Sequence, residues 1–415
     1  MSTTGISTPP VIATGDPSAR ERSRAQRFAT LVASHSVTDF LSFVIIPLMS
    51  VLEGRASFSP KQGALLLGLG SISSGLIQPV VAYVSDRFDT RWLGTLGLSL
   101  AAVAIGMVGF AHSFQHLLIL QALGAAGIGA FHPVATAAAG QLSTVRTRGI
   151  SIFYAAGMFG TVAAGWIVPA LGVSRTVLFI LPGLIMAAVL SRAIHSIPHR
   201  HAMAHADHAA LPQAERRRRW TEVGLLYCAN VVRFMVNMML IQLIIRWTER
   251  WVLTHAGALE LTDALRVQAT GINGPVQGAM SIGMGAASLL IGWFATVRME
   301  KRLLLMIPLA GAAAIAALPF SGAVWIAFGL AIVAGVGYQG VMPIVLTMAQ
   351  RLLPHRTSLA SGLMLGGAWA IAAAGPPLAQ ALCERVGLNT AFECVAGLLL
   401  MSVVLTIPLR SAGRG

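Results

Sequence analysis

The stretch Ala130-Phe131-His132-Pro133 through Gly172 is written twice in this chain. A shift of 210 positions sets Pro133 on Pro343, Arg146-Thr147 on Arg356-Thr357, Gly157 on Gly367 and Ala163-Ala164-Gly165 on Ala373-Ala374-Gly375. The same shift sets Ser71-Ile72 on Ser281-Ile282 and Gly75 on Gly285. Isolated Gly or Ala matches are cheap in an apolar chain. A single offset that also pairs two prolines and two Arg-Thr dipeptides, over three helix-length segments, points to two copies of one ancestral unit. Large repeats in a hydrophobic chain are the sequence signature of carriers built from two related bundles.

Composition agrees with that class. Of 415 residues, 55% are hydrophobic and 11% charged, against about 25% charged in a soluble domain. This is the composition of a polytopic membrane protein. A net charge of +14 would suggest nucleic acid in a soluble chain. Here it marks basic cytoplasmic loops, and no nucleic acid is expected. Cys228, Cys383 and Cys394 have neither metal-ligand spacing nor a disulfide framework.

Spans of roughly 20 apolar residues are predicted near 28–51, 63–84, 92–111, 115–141, 149–171 and 174–194. A second six follows near 221–245, 276–297, 303–321, 323–350, 357–380 and 386–409. The expected fold is all-α, with twelve transmembrane helices in two six-helix pseudo-repeat bundles, 28–194 and 221–409. Residues 1–27 read as a disordered cytoplasmic tail, 410–415 as a second tail, and 195–220 as a cytoplasmic linker. That linker holds His195, His199, His201, His205 and His208 beside Arg216 to Arg219. The histidines suit either a metal ion or a solvated connector, and no carboxylate or Cys pattern fixes a geometry. With cytoplasmic termini, 21 of the 29 Lys and Arg fall on the inner side, as the positive-inside rule requires. The segment 246–275 reads as an irregular outer loop, with Trp247 and Trp251 as interfacial anchors.

Between the second and third spans stands Ala82-Tyr83-Val84-Ser85-Asp86-Arg87-Phe88-Asp89-Thr90-Arg91. It resembles the loop signature of the major facilitator superfamily, with Ala82 and Asp89 where glycine is usual. Four further pieces are Ser34-His35-Ser36-Val37-Thr38-Asp39, Leu76-Ile77-Gln78-Pro79-Val80, Gly129-Ala130-Phe131-His132-Pro133 and Gly157-Met158-Phe159-Gly160. Together they resemble the fosmidomycin resistance protein branch of that superfamily. The resemblance implies a proton-driven exporter of small drug-like compounds, anionic ones among them, working by alternating access in a bacterial inner membrane. It also implies a gating role for Asp86, Arg87 and Arg91, with Arg146 as a partner of Asp86. A proton-coupled importer of an organic acid or sugar would use the same fold, and a receptor or assembly factor that has lost transport is the alternative of another class.

Ionisable groups inside membrane helices are costly and mark function by default. Asp39 is the one carboxylate placed deep in a span; Glu222 and Glu393 read as lying nearer helix ends. His35, Thr38, Asp39 and Ser42 share a helix face, as proton-coupling candidates led by Asp39 and His35 or as a structural cluster. His132 precedes Pro133, which frees a backbone carbonyl and bends a helix beside a cavity. Asn230, Arg233 and Asn237 form a second polar stripe. Its arginine suits an anionic substrate, a counter-ion role toward Asp39, or snorkelling. Tyr154, Tyr338, Gln339 and Trp369 are further candidates for the pathway lining. Gly157, Gly160, Gly165, Gly366, Gly367 and Gly375 read as close-packing positions. No phosphate-binding glycine loop, metal cluster or nucleophile–base pair occurs, so neither an enzyme nor a cofactor is expected. The expected partners are a small-molecule substrate, protons and the bilayer, around a monomer.

Overall fold

The computed structural model describes residues 17–410 other than 86–87, 89–90 and 195–210. Among the described residues, twelve helical segments are long and apolar enough to cross a membrane. They are α1 (Arg22–Arg55), α2 (Pro60–Ser85), α3 (Trp92–Phe110), α4 (Phe114–Leu142), α5 (Arg146–Leu171) and α6 (Val173–Ile194). The second six are α7 (Gln213–Ala256), α8 (Asp263–Phe294), α9 (Glu300–Phe320), α10 (Val324–Leu352), α11 (Leu359–Val386) and α12 (Leu388–Thr406). No strand occurs among the described residues.

Prolines set the bends. α1 breaks at Val44, where Pro47 cannot donate to the carbonyl of Phe43 and its ring crowds that turn. α10 breaks at Gly340 and Val341, just ahead of Pro343. α11 loosens into a π-turn at Leu363–Gly367 and breaks at Ala373 and Ala374, ahead of Pro376 and Pro377. Pro133, the repeat mate of Pro343, leaves α4 continuous.

The repeat mates pack crosswise. By the 210 shift, α2 matches α8 and α5 matches α11. In the fold α5 lies along α8 and α2 along α11. Gly75 of α2 faces the backbone of Ala370 on α11, and its mate Gly285 of α8 faces Met158 on α5. A Cβ on Gly165 would come 2.5 Å from the carbonyl oxygen of Gly274 on α8. Small residues let the two halves meet backbone to backbone.

Three boundaries differ from the expectation. Helix begins at Pro17, inside the stretch assigned to a disordered tail, and Arg24 Nε donates to the carbonyl of Leu142 at 2.7 Å. Residues 213–220 of the linker belong to α7; its five histidines lie outside the described residues. The segment 246–275 is not an irregular loop. α7 continues to Ala256, is capped by Gly257 in the left-handed region (φ 60°), and α8 starts at Asp263 behind Thr262. Charges broke the apolar run in the sequence, yet Arg246 and Glu249 are three apart and pair on one helix face. Trp247 is correspondingly no interfacial anchor: it is 2% exposed and packs at 5.4 Å from Trp251.

Candidate functional site

A cavity of about 210 Å³ lies between the two halves. Its wall includes His35, Asp39 and Ser42 of α1, His132 of α4, Tyr154 of α5, Asn237 of α7, Tyr338 and Gln339 of α10, and Trp369 of α11. Most sequence candidates therefore converge on one space. Arg233 and Asn230 do not. Asn230 is fully buried and donates to the carbonyl of Met364 at 2.5 Å. Arg233 is also fully buried and turns toward α12. It is neither a lining residue nor the counter-ion of Asp39, and burial removes snorkelling. Thr38 donates back to the carbonyl of Ser34. Asp86, Arg87 and the side chain of Arg91 lie outside the described residues, and Arg146 is exposed at the start of α5.

At the α1 side of the cavity three ionisable groups meet. His35 Nε2 is 3.4 Å from Asp39 Oδ2, and His132 Nε2 is 3.2 Å from Asp39 Oδ1. The first pair follows from i,i+4 spacing on one helix. The second is a tertiary contact between α1 and α4. His35 stacks on Phe153 at 3.9 Å between ring centroids and sits edge-on to His132 at 5.2 Å. Gly157 makes the room: a Cβ there would fall 2.2 Å from Asp39 Oδ2 and 2.5 Å from His35 Cε1.

The tautomers are fixed by the backbone. His35 Nδ1 lies 2.6 Å from the carbonyl oxygen of Phe153, and His132 Nδ1 lies 2.8 Å from that of Ile128. A carbonyl only accepts, so both Nδ1 atoms carry hydrogen. Each neutral ring then offers a bare lone pair at Nε2, facing a carboxylate that also offers only lone pairs. Each imidazole–carboxylate contact needs a cation between its atoms to be attractive. A proton on each ring makes both contacts attractive, the His132 one as a hydrogen bond and the His35 one as a charge pair, leaves Asp39 ionised and gives the cluster a net charge of +1. The donor atoms lie within 4.8 Å of one another, a spacing a divalent metal could also use.

Elsewhere the wall is neutral. Gln339 is 1% exposed with neither amide atom partnered, and Gln277 keeps an unpartnered Oε1. The Tyr338 hydroxyl meets only the Met280 sulfur, at 3.5 Å. Gln78, Gln121 and Gln277 also line the space and were passed over in the sequence. An amide within an apolar span was the signal that could have found them.

Beyond Ile46, at the end away from the chain termini, the cavity is closed by polar links across the halves. Arg246 of α7 grips Glu53 of α1. Ser50 Oγ donates to Glu249 Oε1 at 2.5 Å, and Arg266 Nη1 donates to the Ser50 carbonyl at 3.0 Å. Asn273 Nδ2 donates to the Ile46 carbonyl at 3.0 Å, and Lys61 meets Glu384 at 3.0 Å. Glu53 and Glu249 are 4% and 5% exposed, so Asp39 is not the one deep carboxylate. Glu393 is exposed on α12.

Residues 31–248 match the profile of the Major Facilitator Superfamily. The chain belongs to that superfamily. Among curated proteins it is similar to the fosmidomycin resistance protein of Escherichia coli (strain K12), 23% identical over 380 residues and covering 89% of each chain. Among solved structures it is similar to a bacterial homologue of the human lysosomal transporter Spinster, in inward-facing unoccupied and occupied forms. The TM-scores are 0.63 and 0.64, at 15% identity, covering 95% of this chain and 96% and 97% of those chains. Membership of that superfamily makes the chain a multi-pass membrane transporter of small molecules, not an enzyme.

Proposed function

We propose that this transporter exports small drug-like compounds from the bacterial cytoplasm in exchange for protons, by alternating access in the inner membrane with both termini inside. The observation that carries the reading is the His35–Asp39–His132 cluster in the cavity wall, where two bare imidazole nitrogens face a carboxylate and favour proton uptake. Similarity to a fosmidomycin resistance protein supports the export direction.

The cluster and the substrate share one cavity, so occupancy by one bears on the other. With no proton the cluster is anionic; with two it is cationic. A ligand shifts a conformational equilibrium only through its different affinity for the two states. The charge change beside Tyr154, Gln339 and Asn237 supplies that difference. With Arg233 outside the lining, an anionic compound has only the protonated imidazoles to meet, and neutral amides and hydroxyls do most of the holding. Asp86, Arg87 and Arg91 are proposed as the gate at the terminal side, with Arg146 as a partner.

The test is movement of substrate in proteoliposomes under an imposed pH gradient, with compounds first found by susceptibility profiling of an efflux-deficient bacterium expressing the chain. Asp39→Asn is expected to abolish uphill export while sparing downhill exchange. Uphill export by that variant would remove the cluster from coupling. Proton-driven accumulation in the inward direction would replace export by import.

A further inference from the structure

We infer that Arg233 is the centre of a second site, separate from the transport cavity, that holds a small monovalent inorganic anion such as chloride between α7 and α12. Arg233 is 0% exposed, and a guanidinium stays charged in a protein. Burying a charge without a counter-charge is strongly unfavourable. No carboxylate is left to serve among the buried ones. Asp39 faces His35 and His132, Glu53 and Glu249 share Arg246, Glu300 meets Arg351, and Glu222 lies 3.9 Å from Arg218.

The hydrogen bonds around Arg233 are unbalanced in one direction. Nη2 makes a long 3.4 Å contact to Thr406 Oγ1, while Nε and Nη1 have no partner. Thr406 spends its own hydrogen on the Ser402 carbonyl, at 2.7 Å. Ser402, one turn away on the same helix, has a fully buried hydroxyl without a partner. Two guanidinium nitrogens, and a hydroxyl one turn from the residue that Arg233 touches, are therefore unspent donors among the described residues. A buried guanidinium with unspent donors is satisfied by charge-assisted hydrogen bonds to an anion.

Size and charge narrow the class. Arg233, Ser402 and Thr406 are all 0% exposed, which excludes a lipid headgroup carrying its acyl chains. One arginine balances one negative charge, which disfavours a free dianionic phosphate. A halide-sized anion would neutralise the guanidinium and fasten α7 to the last helix, leaving the cavity wall untouched.

The experiment is thermal unfolding of the purified full-length transporter in detergent. Chloride replaces gluconate at constant ionic strength, and a parallel gluconate series adds phosphatidylglycerol. Wild type is expected to gain melting temperature with chloride along a saturating curve. Ser402→Ala should shift the midpoint to several-fold higher chloride, and Arg233→Met should flatten the curve. Radioactive chloride binding to wild type and Ser402→Ala covers the case in which Arg233→Met does not fold. A chloride-independent wild type, an unchanged midpoint in Ser402→Ala, or stabilisation by phosphatidylglycerol alone overturns the inference. None of these readouts depends on transport, so they stand apart from the export reading.

Discussion

Asp39 and His35 were legible because four residues on one helix place them side by side, and apolar surroundings make any such pair conspicuous. His132 was legible as a suspect only, since nothing in sequence spacing brings α4 to α1. The room between them depends on Gly157, whose part in the repeat said nothing of a proton site. Gly157→Ala is expected to cut pH-driven transport at least tenfold, because a Cβ would stand 2.2 Å from Asp39 Oδ2 and α1 must retreat. Clashes of this kind cost about 1–3 kcal/mol, so the protein should still be purified folded, as size-exclusion chromatography would show. Normal coupling in that variant would mean that the cluster tolerates separation. His132→Gln makes a finer test. Its amide can still donate to Asp39 Oδ1 but cannot take up a proton. Substrate binding should then release about one proton instead of about two, read by dye or calorimetry in buffers of different ionisation enthalpy. Release of an unchanged number would place the second proton elsewhere. Arg233 was misread because a polar stripe identifies a helix face and not what that face meets.

At the scale of elements, α7 shows where pattern reading stops. Arg246, Glu249 and Arg250 interrupt the apolar run and suggest that the helix ends; in the fold it continues, because Arg246 answers both Glu249 and Glu53. Charges three residues apart stabilise a helix when they pair, and pairing across elements cannot be seen in one helix. Removing Arg246 takes the paired cation from two buried carboxylates, with Arg266 left as a neighbouring charge for Glu53, at a cost of up to about 3–5 kcal/mol. Arg246→Leu should therefore lower the melting temperature in detergent, whereas Lys61→Ala, at an exposed pair worth less than about 1 kcal/mol, should leave it nearly unchanged. Equal effects of the two substitutions would deny the Arg246 cluster its structural weight. Helix number and the repeat, by contrast, could be read from sequence, since each helix of this length must be apolar to lie in lipid.

At the scale of the whole molecule, the repeat places like helices at the contact between the two halves. α5 on α8 and α2 on α11 are equivalent helix pairs of the repeat, one through Gly285 against Met158 and the other through Gly75 against Ala370, two residues out of register under the 210 shift. Such seams, rich in small residues, suit the proposed alternating access, in which one half rocks on the other. The polar links described above lie at one end of those seams, spanning Ile46, Ser50, Glu53 and Lys61 on one side and Arg246, Glu249, Arg266, Asn273 and Glu384 on the other. Alternating access requires that end to open in every cycle. Lys61 and Glu384, 3.0 Å apart across the halves, are exposed enough to be replaced without loss of core packing. With Cys228, Cys383 and Cys394 changed to serine, the pair Lys61→Cys and Glu384→Cys should be bridged by a short bis-methanethiosulfonate reagent, which spans the length of the two side chains it replaces. Bridging should stop transport in proteoliposomes, and reduction should restore it to the level of either single variant. While locked, the carrier should still bind substrate added from the side of the chain termini. If the cross-linked protein carries substrate at its reduced rate, the halves do not part at this end, and rocking about the two glycine seams is not how the cavity changes sides.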